Sequence, residues 1–382
     1  MQIGIIGLPL AGKTTIFNAL TRGHADVANF ASGKLQVHTA AVQVPDARID
    51  VLTKMFNPRK TIYAQVVYND IAGLARGIGE KGGMDGNLLN QIVQNDALVH
   101  VVRAFRDDNV PHLEGSINPA RDLENLDTEL ILSDLGVVER RLERLKTSLG
   151  KGGATPQEKE AFQKELAQLE HFQKVLEGGG LLRDLELAPA ELKPLRSLAL
   201  TTLKPTLVII NADENSRDKV LTDANVSPDA NANVNTLPQP LGISYQHKQT
   251  QSVALQGQVE MELAQMSDAD AQMFLQEFGI AEPSLPRVIR LSYQLLGLQS
   301  FFTVGEDEVR AWTIPVGATA VEAAGAIHTD LAKGFVRAEV VSYDNLIQAG
   351  GMNEAKTRGV LRLEGKEYIV KDGDIVHIRS SL

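Results

Sequence analysis

Apolar residues recur along this chain in three different rhythms. The first is short and dense. Ile3, Ile5 and Ile6 form a run closed by Gly7, after which Ile16, Phe17 and Leu20 return at helical spacing. Short apolar runs ended by turn-forming residues read as buried strands, and spacings of three and four as helices packed on one side. The pattern repeats in IYAQVVYND (62–70), ALVHVVRAF (97–105), LVIIN (207–211) and SVAL (252–255). Strands alternating with helices predict an α/β domain with a buried sheet.

The second rhythm begins after Asn118-Pro119. Ile131, Leu135, Val138, Leu142, Leu145 and Leu149 alternate spacings of four and three, which is a coiled-coil seam. Thr155-Pro156-Gln157-Glu158 is a capping box with proline in the first turn, and Phe162, Leu166, Leu169 and Leu176 make a second stripe. An antiparallel helical hairpin bounded by glycines is expected, and a docking arm is its functional reading. The third rhythm is the period of two in VRAWTIPVG (309–317), FVRAEVVS (335–342) and DGDIVHIR (372–379), around the helical stretch TAVEAAGAIHTDLA (319–332). That predicts a small α+β domain. The polar stretch 223–242, rich in Pro, Asn and Asp, reads as a surface loop.

Composition narrows the classes. The 382 residues suffice for two or three domains. No apolar run approaches the roughly 20 residues that cross a bilayer, so no membrane role is expected. With no cysteine, disulfides and thiolate metal sites are excluded, and a cytoplasmic setting is expected. A net charge of −10 argues against broad coating of nucleic acid.

Candidate chemistry sits first at Gly7-x-x-x-x-Gly12-Lys13-Thr14, between a strand and a helix. In a phosphate loop of this kind, backbone N–H groups cradle phosphates, Lys13 reaches the β- and γ-phosphates, and the Thr14 hydroxyl sits on Mg²⁺. Leu10, Ala11 and Thr15 complete the expected cradle. Asp70, at a strand's end with Gly73 three residues on, suits a carboxylate beside the metal and an N–H near the γ-phosphate. Leu74 occupies the place where Ras-like enzymes often carry a water-orienting glutamine. Five glycines between Gly77 and Gly86 suggest a switch segment.

GLPLAGKTTIFNALT, VPDARID, DIAGLARG, ALVHVVRAF, LKPTLVIINADE and VRAWTIPVGATAVEAAGAIHTDLAKGFVRAEV, in that order, resemble the YchF-type, Obg-related P-loop NTPases. The resemblance runs through nearly the whole chain. It implies a Ras-like P-loop nucleotide domain (1–120 and 196–280), an inserted antiparallel helical hairpin (121–195), and a C-terminal α+β domain of β-grasp type, the TGS domain (281–382). It also implies Mg²⁺-dependent hydrolysis of ATP in preference to GTP, and association with the ribosome or ribosomal RNA. His112 matches a histidine proposed as catalytic in that family.

Three departures stand out. Leu10-Ala11 replaces the usual Asn-Val pair, Lys34 stands where the family has its metal-binding threonine, and Gln256-Gly257 replaces a Cys-Ala or Ser-Ala pair near the base. Ser32 or Thr39 is a substitute for that threonine only if the loop shifts. Asn211-Ala212-Asp213-Glu214 differs from the guanine reader in its last residue. Guanine offers N1–H and a 2-amino donor to an aspartate, whereas adenine N1 is an acceptor. Glu214, one methylene longer than aspartate, crowds a guanine placed normally, while its carboxylate repels adenine N1; it weakens guanine without building an adenine site, and the resemblance tips the reading to adenine. A GTPase with relaxed base choice and a nucleotide-gated ribosome-binding module with little turnover remain as alternatives.

Overall fold

The computed structural model describes residues 1–23, 37–71, 86–112, 115–150, 155–213, 245–277 and 283–381. The chain forms two compact units, one of residues 1–40 and 67–285, the other of residues 41–66 and 286–382.

Along the chain come β1 (Gln2–Ile6), α1 (Lys13–Thr21), β2 (Val37–Gln43), α2 (Ala47–Phe56), β3 (Lys60–Ile62), β4 (Gln65–Ile71), α3 (Gly86–Val93) and β5 (Ala97–Arg103). The long α4 (Pro119–Gly150) and α5 (Pro156–Glu177) follow, then α6 (Pro189–Leu195), β6 (Thr206–Asn211), β7 (Thr250–Leu255), α7 (Gly257–Gln265) and α8 (Asp268–Glu277). The chain ends with α9 (Ser284–Leu295), β8 (Leu298–Thr303), β9 (Glu308–Pro315), α10 (Ala320–Ile327), α11 (Thr329–Lys333), β10 (Phe335–Ser342), α12 (Tyr343–Ala349), α13 (Met352–Thr357), β11 (Arg362–Glu364) and β12 (Asp374–Ser380).

In the first unit the strand order is β2-β4-β1-β5-β6-β7, with β4, β1, β5, β6 and β7 mutually parallel. Every residue of β5 and β6 is buried, as parallel strands covered on both faces require. Strands of such a sheet end together, and their carboxyl ends are where ligands bind.

The hairpin forms as the heptad spacing predicts. Val138, Leu142 and Leu145 pack on Leu169, Phe172 and Leu176, and Arg141 bridges to Glu165 through two bonds of 2.7 and 2.9 Å. The Thr155–Glu158 capping box opens α5, a device contributing about 1 kcal/mol. The first turns of α4 belong elsewhere: Leu126 and Leu130 pack with Ile6, Ile71 and Leu98 of the first unit's sheet and with Ile92 of α3. Asp134, buried on α4, accepts from the amides and hydroxyls of Thr201 and Thr202 at 2.7–2.9 Å and so fixes the returning chain.

The second unit holds the sheet β11-β10-β12-β8-β9-β3, with β8 and β12 parallel at its centre and antiparallel neighbours beside them. This is the mixed order of a β-grasp, and Ala320, Ala323 and Ala324 of α10 pack on Phe301, Ile314, Ala338 and Val340. One feature departs from expectation. Residues 41–66, read from sequence as part of the nucleotide domain, fold with this unit. Their β3 extends its edge by pairing parallel with Glu308–Arg310, and Arg48 is held by Asp46 and Asp372 while lying over the Phe302 ring.

Candidate functional site

The loop between β1 and α1 has the backbone of a phosphate cradle. Gly7 and Gly12 take φ of 150° and 91°, and a side chain at Gly12 would put its Cβ 2.3 Å from the Asn211 amide nitrogen. Leu10 also sits at positive φ, 64°, a left-handed conformation that asparagine tolerates better than leucine. Lys13 is buried and folds its ammonium back onto the carbonyls of Gly7 and Leu8 at 3.2 and 2.9 Å. Burial lowers its pKa to about 8, against the opposing pull of Asp70. Ala11, within the loop, and Thr15, in the first turn of α1, are buried.

Thr14 donates to one oxygen of Asp70 at 2.8 Å. The other oxygen, Oδ1, is buried with no hydrogen-bond partner among the described residues. Burial raises the carboxyl's pKa, while the Thr14 bond and the charges of Lys13 and His38 lower it. A buried orphaned carboxylate oxygen, beside a hydroxyl whose lone pairs stay open while its proton goes to the same carboxylate, fits a hard divalent cation and its water. Among the described residues no three His, Asp or Glu side chains gather as a metal cage.

Sequence reasoning missed His38. On β2, Thr39 donates to Asn69 at 2.8 Å, and successive strand residues face opposite ways. His38 therefore shares the face of Asp70, with its ring 6.3 Å from that of Phe17. Thr39, weighed as a stand-in for the metal-binding threonine, is engaged on the other face. Gly73, Glu214, Lys34, Leu74 and Ser32 lie outside the described residues.

At the ends of β6 and β7 the predicted base residues meet. Asn211 is buried and uses both ends of its amide: Nδ2 donates to the Ala11 carbonyl at 3.1 Å, and Oδ1 accepts from the Gly257 amide at 2.9 Å. It thus ties the loop after β1 to the turn after β7. Gln256 donates through Nε2 to the Asp213 carbonyl at 3.3 Å, and Asp213 accepts from the Arg106 amide at 3.1 Å.

His112 stands on the other side of the loop. Its Nε2 faces Asp122, on the first turn of α4, at 3.2 Å. Arg121 holds the second oxygen of that carboxylate. A small cavity, with room for about one water molecule, adjoins His112, Asp122, Arg103, Leu8, Pro9 and Ala11. His100, deep in β5, also lines it; burial, then Arg183 and Lys13, bring its pKa down to about 3. Neither Asp122 nor His100 carried a sequence signal beyond residue type.

A family model described as 50S ribosome-binding GTPase matches residues 2–134, and one of YchF GTPase C-termini, described as a protein of unknown function (DUF933), matches residues 298–381. The chain is 42% identical over 376 residues to the ribosome-binding ATPase YchF of Escherichia coli O157:H7, with 98% of each chain covered. The chain belongs to the YchF family. The Bacillus subtilis (strain 168) protein of the same name is 39% identical, with 99% of each chain covered. Among solved structures, the YchF GTPase of Schizosaccharomyces pombe superposes with a TM-score of 0.80 at 30% identity, covering 99% of this chain and 97% of that one. The YchF fold seen there, a P-loop domain with a C-terminal domain, is therefore the fold of this chain. Among the described residues no helix is long and apolar enough to cross a membrane.

Proposed function

We propose that this chain binds Mg²⁺–ATP in preference to GTP, hydrolyses it slowly, and does so at the ribosome in the cytoplasm. The Thr14–Asp70 pair beneath an intact phosphate loop carries the reading, in a chain matched end to end by proteins named ribosome-binding ATPase. Lys13 exchanges the Gly7 and Leu8 carbonyls for phosphate oxygens, and the loop's amides take the rest. Thr14, with Asp70 behind it, would hold magnesium, which would supply neutralisation of the β- and γ-phosphate charge. With Leu74 unable to hydrogen-bond, His112 is the group that positions the attacking water, its ring oriented by Asp122. Asn211 and Glu214, with Gln256 and Gly257, form the base end.

A second reading has its own support. Lys34 and Leu74 replace groups that serve hydrolysis in Ras-like enzymes, which favours a nucleotide-gated ribosome-binding module. One experiment separates the readings: affinity and turnover for ATP and GTP, with and without ribosomes. Tight ATP binding with measurable, ribosome-sensitive turnover supports the ATPase. Binding without turnover assigns the gated module, and GTP bound as tightly as ATP overturns the base assignment.

A further inference from the structure

The turn after β7 is locked at three points. The Ala212 amide donates to the Leu255 carbonyl at 2.9 Å, the Gly257 amide donates to Asn211, and a Cβ at residue 257 would lie 2.7 Å from Asn211 Oδ1 and 2.9 Å from Ile16. Gln256 therefore projects from a fixed backbone, with its side chain between the two strand-end turns. Its amide has a defined orientation. A carbonyl oxygen can only accept, so the nitrogen must be the end that faces Asp213. Oε1 points away from that carbonyl and takes no hydrogen bond among the described residues. The Asp213 carboxylate is occupied with the Arg106 amide. What the turn offers a base is an acceptor oxygen held in a defined direction.

Purines differ in just this respect at C6. Adenine carries an amino donor there, and guanine and hypoxanthine a carbonyl acceptor. We infer that Gln256 is a specificity-determining residue: its Oε1 accepts from the 6-amino group of adenine and opposes a 6-oxo purine. This deepens the ATP reading above and rests on it. It also moves the choice of base from Glu214, which disfavours guanine at N1 and C2, to a residue that favours adenine.

The decisive probe is purine riboside triphosphate, which keeps the N1 acceptor of adenine and lacks the amino group. Affinities for it, ATP and GTP are measured by calorimetry on the full chain and on Gln256→Ala and Gln256→Met. The wild type is expected to bind ATP about two- to tenfold more tightly than the riboside, the range of one net hydrogen bond. In both variants that ratio should fall to about one while riboside affinity holds, which also shows that the site is intact. A ratio unchanged in the variants, or an equal loss of all three nucleotides, overturns the role of Gln256. A wild type with no preference for ATP over GTP overturns the adenine reading itself, which is a separate result.

Discussion

Thr14 donates its hydroxyl to Asp70 at 2.8 Å, while the second oxygen of the same carboxylate stays buried without a partner among the described residues. Asp70→Asn keeps an acceptor for Thr14 and removes the charge. With magnesium present, ATP affinity should fall at least tenfold. In EDTA it should hold or tighten, because a buried negative charge near the polyphosphate has gone. Calorimetry under the two conditions checks this; equal losses in both would confine Asp70 to a role in folding.

Leu10 occupies a left-handed conformation at φ 64°, which costs a side chain with a Cβ roughly 1–2 kcal/mol. Leu10→Asn relieves that strain and gives up part of a half-buried apolar surface. A net gain of about 0.5–1 kcal/mol in urea unfolding is expected, with ATP affinity kept. A loss of stability would show that leucine packing outweighs the backbone.

Gly257 has no room for a side chain, since a Cβ would meet Asn211 Oδ1 at 2.7 Å. Gly257→Ala should push Asn211 off the Ala11 carbonyl and weaken ATP binding by tenfold or more. Gly86→Ala is the control, because nothing lies within 4 Å of a Cβ there. Comparable effects from the two substitutions would sink the idea that Asn211 braces the loop.

His100 is buried and resists protonation until about pH 3, whereas an unfolded histidine takes up a proton near pH 6.5. Between those values the unfolded chain binds the extra proton, so stability falls as pH falls. The expected slope is on the order of 1 kcal/mol per pH unit. His100→Gln should flatten the dependence of unfolding free energy on pH in that window. Parallel curves for the variant and wild type would place the acid sensitivity elsewhere.

Much of this was legible in the sequence because some demands are local. A phosphate loop needs glycines and a lysine at set spacing, and Lys13, Thr14 and Asp70 came together where that spacing put them. The seam from Val138 to Leu145 likewise announced its own partner stripe. What stayed hidden depends on distant partners. Lys60–Ile62 is three residues long, too short for a period, and its partner begins at Glu308. The sequence offered Asn211 as a base contact, but not its second task of tying Ala11 to Gly257. His38 gave no signal until Thr39 was seen to face Asn69.

The allegiance of residues 41–66 has a consequence for how the protein is made. Synthesis delivers the edge strand Lys60–Ile62 long before Glu308–Arg310, the strand it pairs with. At typical elongation speeds the wait is roughly 10–50 s. During that interval Arg48 has no Asp372 to meet, and the segment must hang as an open loop from a nascent nucleotide sheet. Ribosome-stalled chains ending before residue 298 should be cut by protease within residues 41–66, and full-length chains should resist. Vectorial folding, one unit after the other, is closed to this chain, because its second unit is begun before the first is complete and is finished last.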